Sequence, residues 1–405
     1  MHILIISDSY PPEIRSASDL MYECAQELQR RGHRVSVMTC WPRYNLEKSA
    51  ENIGVKEFAI EEGVEVVRVK TLRHHKVNYI YRGIAELLMP VLFKRKAKKY
   101  GLMQPDVVLV YSPPLALTLL GADYARRGIK FILNVQDIFP QNAIDLGVLN
   151  NTMAISFYRA IERAVYRSAS IITTHSVGNQ HFLQNAFPDY RHKIVDLPNW
   201  IDLVHYQAKG ASNFRERYGI ATDKRVVLFA GVLGPSQNLD WLLELATNLE
   251  NENLLFLIVG DGSDKLCLQQ KASDLSNVMF QDFVGRGDYP DLLAASDLGI
   301  VSLSEKNKTP VVPGKLLGYM AAKMPVFAVL NRESDAHGLI EEAKCGVSVA
   351  ADQSALIAEK FTELLHKEMQ WDEMGMAGYE YASSHFSKEK SVSLLEQLME
   401  CSNES

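Results

Sequence analysis

The sequence predicts an α/β protein with two domains, each built around a parallel β-sheet. Short, nearly continuous apolar runs alternate with helical patterns along the chain, which is typical of parallel strands buried on both faces. The 405 residues are too many for one compact core and suit two domains. Pro198 breaks the pattern, and no new apolar run begins before Val226, so the domain boundary is expected there. Two Rossmann-like domains result.

The predicted strands are the apolar runs that are too short to be buried helices. In the first domain they are residues 3–6, 35–39, 64–69, 107–110, 131–135 and 171–174. In the second domain they are residues 226–230, 255–259, 298–303 and 326–329. Because ligands of open parallel sheets bind beyond the carboxyl ends of the strands, both sheets are expected to face a central cleft that holds the ligand.

Two helices are predicted in more detail. The first should have Ser16 as its N-cap, with Asp19 three residues later, and should end at Gly32. The last, residues 387–399, is amphipathic and is expected to cross back and pack on the first domain. The predicted divisions are therefore residues 1–197 for the first domain, 198–385 for the second and 386–405 for the C-terminal helix.

Composition excludes several classes of protein. The formal net charge of -6 offers no general attraction for nucleic acid, so no nucleic-acid partner is expected. The five cysteines are scattered without paired spacing, which indicates reduced thiols and makes a zinc site unexpected. The first residues lack a basic leader, and residues 87–93, the longest dense apolar run, cannot span a bilayer. We expect a cytoplasmic protein that is soluble or lies on a membrane surface.

Two loops that feed helices are the strongest candidates for a binding site. Residues 11–17 follow the first predicted strand, and residues 313–317, Pro-Gly-Lys-Leu-Leu, open a late helix. A helix N-terminus presents unpaired backbone N–H groups and a partial positive charge, so it attracts anions. With one such loop in each half, the simplest ligand is a diphosphate held between them. The alternative is that both are ordinary loops between a strand and a helix.

A basic segment with an apolar face lies between Arg68 and Tyr100. Apolar and aromatic side chains such as Tyr79, Ile80 and Tyr81 are interleaved with its charges. Its last part carries the basic residues Lys94, Arg95, Lys96, Lys98 and Lys99. Such a segment either docks on an anionic membrane surface or is a solvated helix whose apolar face belongs to the core. Both interpretations stay open, and membrane docking is our working hypothesis.

Successive blocks of the chain resemble those of glycosyltransferase family 4. They include MHILIISDSYPPEI at the start, FILNVQDIFPQNAIDLGVL in the middle, and LFAGVLGPSQNLDWLLELA, FLIVGDGSDKLCLQQKA and VPGKLLGYMAAKMPVFAVL later. Each block is weak alone, but in order they cover essentially the whole chain. The nearest branch builds bacterial lipopolysaccharide O-antigens, capsules and exopolysaccharides. The resemblance implies the GT-B fold, with an acceptor-side N-terminal domain and a C-terminal domain that binds a nucleotide sugar.

The activity that this resemblance implies is transfer of a hexosyl or N-acetylhexosaminyl group from a nucleotide-diphosphate sugar, most often a UDP-sugar, with retention of configuration. The implied acceptor is an oligosaccharide or a polyprenyl-diphosphate-linked glycan, met by a peripheral protein at the inner face of the cytoplasmic membrane. Transferases of another fold hold a divalent ion on an Asp-X-Asp motif, which does not occur here. No metal or other cofactor is therefore expected, and backbone amides, helix dipoles and a cationic side chain must stabilise the leaving diphosphate.

The matching blocks also imply the site residues. By resemblance, Lys315 stabilises the departing diphosphate, and Asp137 and Gln136 act near the reacting sugar. Arg15 is a second candidate charge for the diphosphate. The implied donor-binding residues are Arg15, Ser16, Gly234, Gln237, Gly260, Asp261, Gly262, Phe283, Val284, Pro313, Gly314 and Leu316.

Three features depart from the wider family. Many members carry an Arg and a Lys where this chain has Val232 and Gln237, so Lys315 is expected to stand more alone. Many carry a Glu that binds the ribose hydroxyls, and Gly318 stands there, so ribose recognition is expected to move elsewhere. Gln136 replaces a His and cannot act as a base at neutral pH. Two alternatives remain open: a nucleotide-sugar 2-epimerase on the same fold, and a non-catalytic homologue that binds glycan or a partner enzyme.

Overall fold

The computed structural model describes residues 1–46, 54–75, 77–206, 211–250 and 252–401, without the side chains of residues 211–213. The chain forms two compact units, Met1–Asn199 with Lys388–Ser405, and Trp200–Ser387. Each unit is a Rossmann-like α/β domain with a mainly parallel sheet and a core of its own, so the predicted α/β class with two such domains is confirmed.

The sheet of the first unit has eight strands. They are β1 (His2–Ile6), β2 (Arg34–Cys40), β3 (Phe58–Glu61), β4 (Val64–Val69), β5 (Val107–Ser112), β6 (Lys130–Val135), β7 (Ile171–Thr174) and β8 (Ile194–Asp196). Their order is β3-β4-β2-β1-β5-β6-β7-β8, and β3 alone runs antiparallel to its neighbour in this sheet. Every predicted strand is present, and the two additional ones, β3 and β8, are short edge strands that are only partly buried.

Helices cover this sheet and connect its strands. They are α1 (Ser16–Arg30), α2 (Tyr79–Lys99), α3 (Leu119–Ala125), α4 (Gln141–Asp145), α5 (Thr152–Ser168) and α6 (Val177–Ala186), with short 3-10 helices at Leu115–Thr118 and Pro188–Lys193. The prediction that Ser16 caps α1 is wrong. Ser16 is already the first helical residue, and the N-cap is Arg15, whose side chain makes no capping hydrogen bond. Gly32 follows α1 with a φ of +90°, which suits glycine at a helix end.

The sheet of the second unit has six strands, and all neighbours are parallel. They are β9 (Arg225–Val232), β10 (Leu254–Asp261), β11 (Val278–Gln281), β12 (Leu298–Ser302), β13 (Val326–Leu330) and β14 (Gly346–Ala350), in the order β11-β10-β9-β12-β13-β14. Val226 and Leu228 belong to one apolar cluster, and Val227 and Phe229 to another. Successive side chains of a strand point to opposite faces, so this sheet is buried on both.

The helices of the second unit lie between and after these strands. They are α7 (Ala211–Arg217), α8 (Asp240–Asn248), α9 (Lys265–Lys271), α10 (Tyr289–Ala294), α11 (Gly314–Ala321), α12 (Ala336–Ala343), α13 (Ser354–His366) and α14 (Trp371–His385), with a short 3-10 helix at Glu368–Gln370. The N-cap of α11 is Pro313, so the Pro-Gly sequence marks the start of this helix.

The last helix, α15 (Lys388–Glu400), belongs to the first unit and packs against α1. Its buried face carries Val392, Leu395 and Met399. Arg31, at the end of α1, donates a hydrogen bond from Nη1 to Glu396 Oε2 at 2.8 Å. Residues 402–405 of the predicted C-terminal division lie outside the described residues. None of the helices in the described ranges is both long and apolar enough to cross a membrane.

Candidate active site

Lys315 lies in the first turn of α11, at the N-terminus of this helix. Its Nζ donates a hydrogen bond to Gln237 Oε1 at 2.6 Å and lies 3.8 Å from the centroid of the Phe229 ring. Both partners are uncharged: the amide oxygen carries a partial negative charge, and the ring face attracts a cation through its quadrupole. These two contacts therefore position the Lys315 amino group without compensating the charge of its protonated form.

Burial lowers the pKa of Lys315 from its usual value to about 7, because removal from water disfavours the charged form. In the described part of the chain, no carboxylate forms an ion pair with Lys315 that would offset this cost. A bound anion would supply the missing negative charge and raise this pKa again. The electrostatics of the residue thus fit an anionic ligand.

The ends of β9 and β10 approach each other closely beside Lys315. Gly231 has a φ of +154°, and a side chain there would begin 3.1 Å from Lys315 Nζ. Gly260 has a φ of +150°, and a Cβ there would lie 1.8 Å from the carbonyl oxygen of Gly231. A side chain at Gly262 would collide with the Leu233 backbone. At the predicted donor residues Gly260 and Gly262 there is no room for a side chain, because the ends of the two strands and the turns after them touch here.

The loop that carries Gln237 is tied to neighbouring segments. The backbone N–H of Gln237 donates to the carbonyl oxygen of Gly234 at 2.9 Å, which closes a tight turn. Its carbonyl oxygen accepts a hydrogen bond from Ser302 Oγ at 2.5 Å. Asn307 Nδ2 donates to the carbonyl oxygen of Ser236 at 3.1 Å. These bonds hold the Gln237 side chain where it can meet Lys315.

The remaining predicted donor residues of this unit differ in how far their side chains are exposed. Val284 and Leu316 are core side chains, so their side chains pack inside the unit and only their backbone is left for a ligand. That both residues bind the donor stays a prediction, and it can concern only their backbone groups. Phe283 is half-buried, Pro313 is buried, and Gly314 is exposed at the start of α11. Asp261 accepts a hydrogen bond from the Gly262 backbone N–H at 2.9 Å, and this bond shapes the turn after β10.

Tyr206 lies over Gly318, the position where the wider family has a glutamate. A Cβ at Gly318 would lie 3.3 Å from a ring carbon of Tyr206 and 3.4 Å from its hydroxyl oxygen. The Tyr206 ring also packs edge-on against Tyr289, with their centroids 6.2 Å apart. An aromatic hydroxyl thus occupies the space that a longer side chain at position 318 would need.

Arg15, at the N-terminus of α1, is paired with a buried carboxylate. Its Nη1 donates to Asp8 Oδ2 at 2.8 Å and lies 3.1 Å from His75 Nε2. Burial acts to raise the pKa of Asp8, but Arg15 and the neighbouring histidines outweigh it and hold this pKa well below its usual range. The role of Arg15 as a second charge for the diphosphate stays a prediction, and Asp8 already compensates that charge in this structure. Ser16, next in the chain, is exposed.

Asp8, His74 and His75 form a cluster whose potential ligand atoms all lie within 4.8 Å of one another. His74 Nε2 is 3.8 Å and His75 Nε2 is 3.6 Å from Asp8 Oδ2. Burial lowers the pKa of His75 to about 4, so its ring is neutral near pH 7. These residue types can hold a metal ion, but the guanidinium of Arg15 already contacts two of the three ligand atoms. A metal ion would have to displace it.

Gln136 and Asp137 follow β6 at the carboxyl edge of the first sheet. Gln136 forms a reciprocal amide pair with Asn199, at 2.9 and 2.7 Å, and also donates to Asn134 Oδ1 at 2.9 Å. Burial raises the pKa of Asp137, with Arg15 and Arg82 acting against that shift. Gln136 is thus an oriented amide and Asp137 a largely desolvated carboxyl group.

The five basic residues predicted to meet a membrane differ in their surroundings. Lys94 pairs with Asp123 at 2.8 Å, and Glu57 pairs with Lys96 at 2.6 Å and Lys99 at 2.7 Å. Within the described ranges, Arg95 and Lys98 are exposed and have no such acidic partner. That these five residues meet a membrane stays a prediction, and three of them, Lys94, Lys96 and Lys99, are already paired with carboxylates.

Sequence reasoning missed Phe229, Tyr206, Asp8 and the two histidines. In the sequence Phe229 is an ordinary apolar strand residue. It belongs to the site because its ring lies under the Lys315 amino group in the folded chain. Asp8 lies two residues after the end of the first strand, at the carboxyl edge of the sheet where ligands of such sheets bind, so its position was a usable signal. The adjacent histidines His74 and His75 could be seen in the sequence, but no local feature indicated that they lie close to Asp8.

Two domain families match the two units. Residues 19–200 match the glycosyl transferase 4-like domain, and residues 211–381 match glycosyl transferases group 1. This chain is a glycosyltransferase. The predicted family is thereby confirmed, because the two matches together cover most of this glycosyltransferase and fall one on each unit.

Individual relatives agree with this assignment. The glycosyltransferase is 24% identical over 342 residues to a colanic acid biosynthesis glycosyl transferase, WcaI of Escherichia coli, covering 79% of this chain and 81% of that one. It is 27% identical over 303 residues to glycosyltransferase WbjE of Pseudomonas aeruginosa, covering 72% and 74%. The solved structure of Anabaena HepE in complex with UDP and glucose matches with a TM-score of 0.72 at 17% identity, over 98% and 99% of the two chains. That likeness concerns the fold, which is GT-B as predicted.

Proposed function

We propose that this glycosyltransferase moves a sugar from a UDP-sugar to a lipid-linked or oligosaccharide acceptor, with retention of configuration, in the synthesis of a cell-surface polysaccharide. UDP is favoured by the Anabaena protein of the same fold, which was solved with UDP and glucose. A polysaccharide product is favoured by the E. coli relative, which is named for colanic acid biosynthesis. The observation that carries the proposal is the Lys315 ammonium at the N-terminus of α11, held by uncharged partners.

Lys315 suits stabilisation of a departing diphosphate. As the glycosidic bond breaks, negative charge grows on the diphosphate while the sugar becomes oxocarbenium-like. A positive charge and the N–H groups at the start of α11 bind that charge more strongly in the transition state than in the bound donor. Because the described partners of Lys315 are neutral, its charge remains available to the diphosphate.

Retention fits a front-face reaction in which the leaving phosphate oxygen accepts the proton of the acceptor hydroxyl. In that mechanism the protein needs no general base, which agrees with Gln136 at a position where many family members have His. We assign Gln136, fixed by Asn199 and Asn134, to orienting a hydroxyl group. We assign Asp137 to stabilising the positive charge that develops on the sugar.

We also propose that the reaction needs no metal ion. Lys315 supplies the positive charge that a divalent ion would supply elsewhere, and Arg15 occupies the hydrogen-bonding positions of the Asp8 cluster. Transfer in the presence of EDTA is therefore expected to stay within about threefold of the untreated rate. Loss of transfer that Mg²⁺ or Mn²⁺ restores would contradict this part of the proposal.

The proposed acceptor is a polyprenyl-diphosphate-linked glycan at the inner face of the cytoplasmic membrane, where the protein would be peripheral. A screen of nucleoside diphosphates and nucleotide sugars by thermal shift tests the donor, because a ligand that binds only the folded state raises Tm. The best donor is then incubated with and without a lipid-linked acceptor, and products are separated by mass and by anomeric configuration. Transfer to the acceptor with retention is expected. Epimerisation of the free donor, or no reaction with a donor that binds, would overturn the proposal.

A further inference from the structure

One exposed row of side chains runs along α2. Its members share one face of the helix, at spacings of three or four residues: Ile80, Ile84, Leu88, Val91, Arg95 and Lys98. We call this row the α2 stripe. Its first four members are apolar, and Ile80 is 80% exposed and Ile84 53% exposed. Aliphatic side chains this exposed, four in succession on one face, are unusual in a helix that only meets water.

The stripe is distinct from the face by which α2 packs into its domain. Ala85, Met89 and Phe93 are fully buried in the core of the first unit. The helix therefore has two apolar faces, and only one of them is explained by folding. The sequence left membrane docking and core packing as alternatives for this segment, and the structure gives core packing to one face only.

Exposed apolar side chains occur on the neighbouring helix α5 as well. Met153 and Phe157, near the start of α5, are 79% and 47% exposed. The two helices come close at Gly83, where a Cβ would lie 2.9 Å from the hydroxyl oxygen of Tyr158. Tyr79 and Tyr81, at the beginning of α2, are exposed as well. Both helices therefore expose apolar and aromatic side chains.

Charge is distributed unevenly along the stripe. Its C-terminal end carries Arg95 and Lys98, which have no acidic partner among the described residues, whereas Lys94 on its flank is paired with Asp123. One end of the stripe therefore carries apolar side chains that can insert into a bilayer, and the other end carries positive charges without acidic partners. This combination matches the boundary of an anionic bilayer, where acyl chains lie next to phosphate groups.

We propose that the α2 stripe docks the protein on a lipid bilayer that contains anionic lipids. Ile80, Ile84 and Leu88 enter the headgroup region, and Arg95 and Lys98 contact lipid phosphates. The proposal rests on the proposed function in one respect: a lipid-linked acceptor requires the enzyme to work at such a surface. In this proposal, burial of the apolar side chains of the stripe contributes most to membrane attachment, and the basic residues add to it.

Flotation of the full-length protein with phosphatidylcholine vesicles, with and without phosphatidylglycerol, tests the proposal at about 0.1 M and about 1 M NaCl. Ile80→Ser with Ile84→Ser is expected to lower the vesicle-bound fraction at least about tenfold at both salt concentrations. Arg95→Gln with Lys98→Gln is expected to lower binding about tenfold at low salt, only on vesicles with phosphatidylglycerol. Leu266→Ser with Met369→Ser, which removes two exposed apolar side chains from the second unit, is the matched control and should bind like wild type.

Three results would overturn the inference: no vesicle binding by wild type, unchanged binding by the isoleucine variant, or a wild-type dimer that this variant converts to monomer. Transfer to a water-soluble acceptor separates this inference from the proposed function, because none of the α2 stripe residues is part of the candidate active site. The isoleucine variant should keep wild-type transfer to that acceptor. Vesicle binding that depends on the stripe in a protein that transfers no sugar would leave this inference standing and overturn the proposed function.

Discussion

Lys315 and Arg15 occupy equivalent local positions, each in or beside the first turn of a helix that follows a loop, and their electrostatic surroundings are opposite. Lys315 contacts an amide oxygen and an aromatic ring, and burial lowers its pKa to about 7. Arg15 contacts the buried carboxylate of Asp8 at 2.8 Å; burial opposes the charge of Arg15, but Asp8 outweighs it and raises the pKa of Arg15.

The difference shows that a cation at a helix N-terminus is not by itself an anion site. Asp8 has already neutralised Arg15, so a diphosphate would gain little from it. When Lys315 is protonated, no described carboxylate compensates its charge, so a bound anion gains most of the attraction. We therefore expect substitutions of Lys315 to act on function and substitutions of Arg15 to act on stability.

Lys315→Ala tests the first half of this comparison and should have the largest effect. The transfer rate kcat is expected to fall about 10²- to 10³-fold, because one preorganised donor to the leaving group is lost. Donor Kd should change less, since the diphosphate carries more charge in the transition state than in the bound donor. Steady-state kinetics, calorimetric Kd and Tm measure the three quantities. The control is Lys360→Ala, which removes a partly exposed lysine that pairs with Glu363. Near-wild-type kcat in folded Lys315→Ala would show that the charge is supplied elsewhere.

Arg15→Ala tests the second half. It leaves the buried carboxylate of Asp8 without its partner, so the free energy of unfolding is expected to fall by about 3 kcal/mol while kcat of the folded enzyme falls less than in Lys315→Ala. Urea unfolding measures the change. Combining Arg15→Ala with Asp8→Asn removes the stranded charge and should recover part of the loss. If Arg15→Ala leaves stability unchanged and lowers kcat as much as Lys315→Ala, the comparison is wrong.

The pH dependence of UDP binding sharpens the contrast. Below pH 7, Lys315 is protonated in the free enzyme and affinity should not depend on its titration. Above pH 7 the free enzyme loses this proton and UDP binding must restore it, so Kd should rise up to about tenfold per pH unit until the pKa of the complex is reached. Calorimetry from pH 6 to 9 tests this, with proton uptake measured from the buffer dependence of the heat. Lys315→Arg keeps its charge and should show no such rise; a wild-type Kd that is equally flat would contradict the lowered pKa.

The same pKa predicts the opposite trend for the stability of the ligand-free protein. The unfolded chain holds the Lys315 proton up to its ordinary pKa, so between pH 7 and that value the unfolded state binds more protons than the folded state. The contribution of Lys315 to stability should therefore increase as pH rises through this window. Comparing urea unfolding of wild type and Lys315→Met across it isolates that contribution.

Gln237→Ala should have the smallest effect. It removes the hydrogen bond at 2.6 Å that positions the Lys315 ammonium, and kcat is expected to fall about three- to tenfold. Gln237→Glu is the informative partner: its carboxylate should raise the pKa of Lys315 and move the loss of UDP affinity to higher pH. Unchanged kcat in the alanine variant, together with an unchanged pH profile in the glutamate variant, would remove Gln237 from the site.

Much of the fold could be predicted because buried parallel strands need apolar residues on both faces, which makes them visible as short apolar runs. Edge strands such as β11 and β14 were missed because only part of each is buried, so selection for apolar residues is weaker there. The sequence predicted Ser16 as the N-cap of α1, one residue later than the N-cap in the structure. Arg15 is the N-cap residue although its side chain makes no cap bond, and local rules favour Ser.

The candidate site, too, was predictable where it depends on local features and not where it depends on contacts between distant residues. Lys315 was predictable from the Pro-Gly-Lys turn and from family resemblance, because a helix N-terminus is a local feature. Its partner Gln237 is 78 positions away in the chain, and only the register of β9 and the path of its loop bring the two together. The sequence showed that Gly318 replaces the family glutamate. It did not show that the Tyr206 ring lies above this glycine.

The sequence by itself determined where the charged groups stand: which helices begin with a cation, which strands are buried, and which loops end at the carboxyl edges of the two sheets. These follow from local backbone rules and from the apolar pattern. The tertiary structure alone decided which of those charges are compensated. Coulomb attraction and desolvation depend on distances of a few ångströms between residues remote in sequence, so the pairing of Arg15 with Asp8 and the placing of Lys315 over Phe229 exist only in the folded chain.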